Sequence, residues 1–200
     1  MRASETAFVI VDMQNGFCSE GGSSSRLGFQ LSDLPATVAE IAVAKASARG
    51  LGISCIYVTH VYKEGLVDAD RRALARYGRD AGRLVRGTWD AAVVDDLAPD
   101  EEDLVIFKNR YDGFFRTELE ATLERMGVRQ LIFAGVATNA CVAMTARSAW
   151  MRDFEVMVPR DTTTARTREL KEAALTDFEE WLICTSQWRE ALGAHSVSEP

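Results

Sequence analysis

Short, unbroken apolar runs punctuate this chain, and their length leaves few folds open to it. Ala7-Phe-Val-Ile-Val11, Leu104-Val-Ile-Phe107 and Gln130-Leu-Ile-Phe-Ala134 are rich in β-branched and large apolar side chains and do not alternate with polar ones. That pattern predicts strands buried on both faces, as in a parallel sheet. Ile53–Val58, 154–158 and 181–184 read as three further strands. Helical spacing is found between them, over 34–48 (closed by Arg49-Gly50), near 68–77, and over 116–126, 139–152 and 167–180, with a short final helix. Six strands alternating with helices make βαβ units, so the expected class is α/β, a three-layer α-β-α sandwich around a six-stranded parallel sheet. No stretch marks a domain boundary, and one domain over 1–200 is expected.

Open α/β sheets gather their ligand sites at the carboxyl ends of the strands. Three such ends here carry chemistry. The first strand stops at Asp12-Met-Gln-Asn-Gly16, the Leu104 strand at Lys108-Asn-Arg-Tyr111, and the Gln130 strand at Gly135-Val-Ala-Thr-Asn-Ala-Cys141. Helical spacing of Val142, Ala146, Ala149 and Trp150 puts Cys141 in a first helical turn, where unpaired N–H groups and the helix dipole favour a thiolate. Singly, Asp12 reads equally as a turn residue or cap, Lys108 as a solvated strand end, and Cys141 as a buried structural cysteine. Their coincidence at three strand ends points instead to one site. The Gly/Ser-rich stretch Ser19–Ser25 reads either as a mobile cover for that site or as a surface linker.

The composition narrows the function classes. Two hundred residues, 47% hydrophobic and 26% charged, suit a globular domain with a sizeable core. A formal net charge of −7 without a basic run argues against nucleic acid or anionic membrane as a partner. The four cysteines are scattered and show no CxxC spacing, so neither a disulfide framework nor a zinc ribbon is expected. No apolar stretch reads as a membrane span or signal peptide, and a cytoplasmic location is expected. Neither G-x-G-x-x-G nor a Walker A pattern occurs.

Asp12 in Val-Asp-Met-Gln, Lys108 after its strand, and Gly135–Cys141 together resemble the motifs of the isochorismatase-like cysteine hydrolases, over about Ala7 to Leu192. That family includes nicotinamidases, N-carbamoylsarcosine amidohydrolase, biuret hydrolases and ureidoacrylate amidohydrolases. Lys108-Asn-Arg-Tyr-Asp-Gly-Phe-Phe115 and Gly87-Thr-Trp-Asp90 are most similar to the ureidoacrylate and biuret branch. The resemblance implies strand order 3-2-1-4-5-6, which sets Asp12 and Cys141 beside one crevice. It implies an amidohydrolase that opens a ureide, carbamoyl or amide C–N bond through a thioester at Cys141, with Asp12 exchanging protons and Lys108 balancing charge. It also implies an oxyanion hole from the amides of Ala137 and Cys141, held by a cis peptide at Val136–Ala137. Relatives of this kind are commonly homo-oligomers.

Nicotinamidases of the family carry an Asp-x-His pair and a further His around a divalent ion. This chain has two histidines, His60 and His195, and no Asp stands two residues before His60. Neither a metal nor any other cofactor is therefore expected. The substrate is expected to be a small molecule contacted by Gln14, Phe17, His60, Trp89 and Tyr111. Arg110, Arg83 and Arg86 have the chemistry to meet a carboxylate, although Arg83 and Arg86 read as solvated surface residues. Trp150, Trp181 and Trp188 read as core or interface residues. Two other classes stay open: a vinyl-ether hydrolase of the isochorismatase type, which Cys141 argues against, and a non-catalytic α/β binding module.

Overall fold

The computed structural model describes residues 2–78 and 83–193, so His195 lies outside the described residues. The strands are β1 Thr6–Val11, β2 Ser54–His60, β3 Leu104–Lys108, β4 Gln130–Val136, β5 Glu155–Met157 and β6 Thr163–Thr164. The helices are α1 Asn15–Cys18, α2 Ser23–Arg26, α3 Leu34–Gly50, α4 Arg71–Tyr77, α5 Leu119–Arg125, α6 Ala143–Trp150, α7 Arg168–Glu180 and α8 Trp188–Gly193. All strand pairings are parallel, in the order β3-β2-β1-β4-β5, with β6 joined to the carboxyl end of β4.

Side-chain alternation explains why the apolar runs have no polar gaps. Along β1, Ala7, Val9 and Val11 face one core with Leu119, Leu123, Ala146 and Phe178 of α5, α6 and α7. Phe8 and Ile10 face the opposite core with Ile41, Ala44 and Trp188 of α3 and α8. A strand sandwiched this way needs apolar residues at every position. Burying each large side chain contributes about 1.5–3 kcal/mol.

Two expectations about elements need correction. The stretch 181–184 is not a strand. Trp181 closes α7, Leu182 turns the chain at φ 60°, and only Cys184 reaches the sheet, as a single parallel bridge to Met157. That bridge, with Val158 N–H donating to Cys184 O at 2.8 Å, occupies the sixth place beside β5. Also, α4 starts at Arg71 because the Asp70 carboxylate caps it, accepting from the N–H groups of Arg72 (2.8 Å) and Ala73 (3.0 Å). Among the described residues, no helix is long and apolar enough to cross a membrane.

Candidate active site

Strand order turns three distant residues into neighbours. β1 and β4 lie side by side, and the chain leaves them in opposite directions, which opens a crevice at their carboxyl ends. Asp12 follows β1 directly with φ 55°, a left-handed conformation that Asp tolerates better than most residues. Its N–H donates to Val58 O at 3.0 Å, which anchors the bend. Lys108 ends β3 in register with His60 of β2, and its side chain donates to Asp12 Oδ2 at 2.7 Å. Both side chains are sealed from solvent.

Cys141 comes from the far side of the crevice. After β4 the chain forms a π-helical turn, Thr138–Val142, before α6 begins. Ala140 N–H and Val142 N–H both donate to Ala137 O, at 2.9 and 3.3 Å. Such widened turns occur often at functional sites. The Thr145 hydroxyl donates to Cys141 O at 2.7 Å and accepts from Gly113 N–H at 3.0 Å, which ties α6 to the segment after β3.

The electrostatics differ from the expectation of a preformed thiolate. Burial raises the Cys141 thiol, the Asp12 carboxylate raises it further, and Lys108 offsets only part. Cys141 therefore rests as a thiol, because loss of solvent and a neighbouring anion outweigh the helix terminus. Burial also raises Asp12, against the opposing pull of Lys108 and the Cys141 thiol. Burial on its own would lower Lys108, but the charge and hydrogen bond of Asp12 lead the influences that outweigh it and raise the ammonium. An ion pair with a strengthened base thus sits beside an un-ionised thiol.

The expected cis peptide is present at Val136–Ala137, and Ala137 and Cys141 both line one cavity of about 340 Å³. Phe17 and Tyr111 line it too. His60 is 2% exposed, and the rings of Tyr62 (4.7 Å), Phe17 (6.3 Å) and Tyr111 (6.4 Å) meet it edge-on. Neither of its ring nitrogens has a hydrogen-bond partner, and the same holds for Asp12 Oδ1. Burial, then the Lys108 charge and two arginines, hold the imidazole well below its usual range, so it is neutral.

Other expected contacts are elsewhere. The Gln14 amide is consumed by backbone: it donates to His60 O (2.9 Å) and Ala91 O (2.8 Å) and accepts from His60 N–H (2.8 Å). It braces β1 against β2 and has nothing left for a substrate. Trp89 is 56% exposed and lines a different depression with Asn15 and Cys18. Arg110 lies outside the cavity, bonded to Asp68 O and Asn109 O. Arg86 packs over the Phe107 ring on the surface.

Arg83 overturns its surface reading. It is 6% exposed, donates to the hydroxyls of Ser23 (3.2 Å) and Ser24 (3.0 Å), and lies over the Phe17 ring on the cavity wall. Arg76 and Arg166, which nothing in their local sequence singles out, also line the cavity and flank the Phe29 ring at 5.0 and 4.3 Å. The only sequence signal for this wall is the Gly/Ser-rich stretch, whose α2 and the following Phe29 build it.

The Asp-x-His pair with a further His that nicotinamidases of the family carry does not occur among the described residues. The one group of metal-ligand types that converges there is Asp12, His60 and Cys141.

Comparison with known proteins supplies the family context. Residues 6–187 match the family model described as "Isochorismatase domain". The chain is similar to the ureidoacrylate amidohydrolase RutB of Stutzerimonas stutzeri, 36% identical over 193 residues that cover 90% of this chain and 78% of that protein. It is 34% identical to the Agrobacterium fabrum protein of the same name, over 100% of this chain and 94% of the relative. A solved cysteine hydrolase from Pseudomonas syringae shares the fold, with a TM-score of 0.89 at 23% identity, covering 100% of this chain and 96% of that one.

Proposed function

The chain belongs to the isochorismatase-domain family and is a hydrolase of amide-type C–N bonds; from that premise we propose a cysteine mechanism acting on a small anionic ureide or carbamoyl compound. The carrying observation is the sealed Asp12–Lys108 pair beside Cys141, at a cavity lined by Arg76, Arg83 and Arg166. Guanidinium groups favour a carboxylate-bearing substrate, because they can grip two oxygens at once. The activity for which the RutB relatives are named, ureidoacrylate hydrolysis, supports the same class.

The steps follow from the charges. As the Cys141 sulfur attacks the carbonyl carbon, its proton passes to Asp12, which burial has made a stronger base. The carbonyl π electrons move to oxygen, and the backbone N–H groups of Ala137 and Cys141 receive that oxyanion. One such donor supplies about 3–4 kcal/mol of transition-state stabilisation. Asp12 returns the proton to the departing nitrogen as the C–N bond breaks, leaving a thioester on Cys141. Water then attacks the thioester, Asp12 takes its proton, and the thiol is restored. Lys108 keeps its charge throughout and balances Asp12 whenever that group is ionised. No cofactor enters these steps. A vinyl-ether hydrolysis has no use for a buried thiol paired with a base, so acyl transfer is the better reading.

The test is ammonia release from ureidoacrylate, biuret, N-carbamoyl amino acids and nicotinamide, with wild type beside Cys141→Ala. Release confined to the carboxylate-bearing compounds and reduced at least about 1000-fold in the variant is expected. Undiminished release by Cys141→Ala would sink the nucleophile. A preference for uncharged amides would sink the anionic substrate class.

A further inference from the structure

Asp12 Oδ1 and both nitrogens of His60 are buried without a partner, although they lie next to the Cys141 thiol. One ligand atom from each residue can be chosen so that all lie within 4.8 Å of one another. The rings of Phe17, Tyr62 and Tyr111 meet the imidazole edge-on, and none of them makes a hydrogen bond to its nitrogens. A carboxylate oxygen, an imidazole nitrogen and a sulfur are together the ligands that borderline-soft ions prefer, and a poor set for magnesium or calcium.

We propose that Asp12, His60 and Cys141 form a binding site for a thiophilic divalent ion such as zinc, cobalt or cadmium, and that its occupancy switches the enzyme off. In tetrahedral zinc sites the metal–ligand bonds are about 2.0–2.3 Å long, which sets neighbouring ligand atoms roughly 3.3–3.8 Å apart. Closing from within 4.8 Å to that spacing takes side-chain movements of about 1 Å. Lys108 stays on the other carboxylate oxygen, Oδ2, and orients Asp12 as an outer partner. The fourth position faces the cavity that Cys141 lines, and water fills it.

The Cys141 thiol gives up its proton to solvent, so one proton leaves per ion bound. With the Lys108 ammonium counted, the site passes from neutral to one net positive charge, so binding strengthens as pH rises. No oxidation occurs, and removal of the ion by a chelator restores the thiol. The binding rests on geometry alone. The loss of activity rests on the nucleophile role proposed for Cys141.

The experiment uses the full chain in a Cys184→Ser background, because Cys184 is the exposed thiol that would bind metal adventitiously. Cobalt(II) is titrated in and followed by the thiolate-to-cobalt charge-transfer absorption and the visible bands of tetrahedral cobalt. One equivalent is expected to saturate the signal, zinc to displace it, and ammonia release to fall in step and return with chelator. Cys141→Ala should abolish the charge-transfer band. His60→Gln, checked for folding by circular dichroism, should weaken cobalt binding at least about tenfold, the penalty for losing even an outer partner at such sites. A missing band, a band unchanged in Cys141→Ala, or equal affinity in His60→Gln would each overturn the site. Metal binding in a protein whose Cys141→Ala variant still turns over would instead leave the site standing and remove the nucleophile reading.

Discussion

At the residue scale, Gly135 has no substitute. A Cβ there would lie 2.0 Å from the Val11 carbonyl oxygen, and its φ of +113° lies where side chains are rarely accommodated. β1 and β4 can approach closely enough to set Asp12 and Cys141 across one crevice only with hydrogen at this position. Gly135→Ala is expected to lower stability by about 3 kcal/mol or more. Gly127→Ala, with φ +70° and open space around it, should lower it by about 1–2 kcal/mol. Urea midpoints of the two variants decide the point, and equal shifts would mean that the close approach is not what demands glycine. A second residue-scale expectation concerns the sealed ion pair. Lys108→Met strands a carboxylate in the interior and should cost about 3–5 kcal/mol. Adding Asp12→Asn removes that charge while keeping a residue that tolerates the left-handed bend, so the double variant should regain part of the stability and stay inactive. A double variant no more stable than Lys108→Met would show that the pair's charge is not the source of the loss.

At the element scale, the cavity wall depends on one carboxylate outside it. Asp90, in the short turn Trp89–Ala91, accepts from Ser23 N–H at 2.7 Å and from Leu84 N–H at 2.8 Å, and so pins α2 to the segment bearing Arg83. Asp90→Ala frees both, at about 1.5–3 kcal/mol for each hydrogen bond to a charged group. Its expected kinetic effect is a raised KM with kcat nearly unchanged, since Cys141, Asp12 and Lys108 stand on other elements. A fall confined to kcat in steady-state ammonia release would contradict that division. The same contrast explains what the sequence discloses. β1 to β4 are legible within two residues or so, because an unbroken apolar run marks each of them. Burial on both faces explains that run in β1, β2 and β4, whereas β3 is an edge strand on which Leu104, Val105 and Phe107 stay exposed and only Ile106 and Lys108 are buried. Asp12, Lys108 and Cys141 are legible because strand ends are the fixed points of such a sheet. The wall is not legible, because the partners of Ser23, Asp90 and Arg83 lie tens of residues apart and are set by tertiary packing. Gln14 misleads for a related reason: a polar residue after a strand reads as a substrate contact until its amide is found spent on β2. The bridge at Cys184 fails as a strand because a turn at Leu182 consumes residues that a hydrophobic pattern had assigned to it.

At the scale of the whole molecule, two electrostatic influences oppose one another. The chain carries a formal charge of −7, which repels an anionic substrate at long range. Arg76, Arg83 and Arg166 line the cavity, where a concave low-dielectric wall concentrates their field. Salt separates the two, because the screening length falls from about 30 Å at 0.01 M to about 3 Å at 1 M. The acidic groups act over the whole surface and are screened first, whereas the arginines act within a few ångströms of the bound carboxylate. For a carboxylate-bearing ureide, kcat/KM is therefore expected to rise modestly as salt first increases, when long-range repulsion is lost, and to fall at higher salt as the cavity field weakens. An uncharged amide should show neither phase. Arg166→Gln, on an exposed stretch of the wall, should remove much of the high-salt fall while leaving the low-salt rise intact. A decline from the lowest salt onward would mean that the cavity field reaches well beyond the entrance and already outweighs the net charge. A flat profile for the anion would mean that the arginines do not meet the substrate at all, and the anionic substrate class would fall with them.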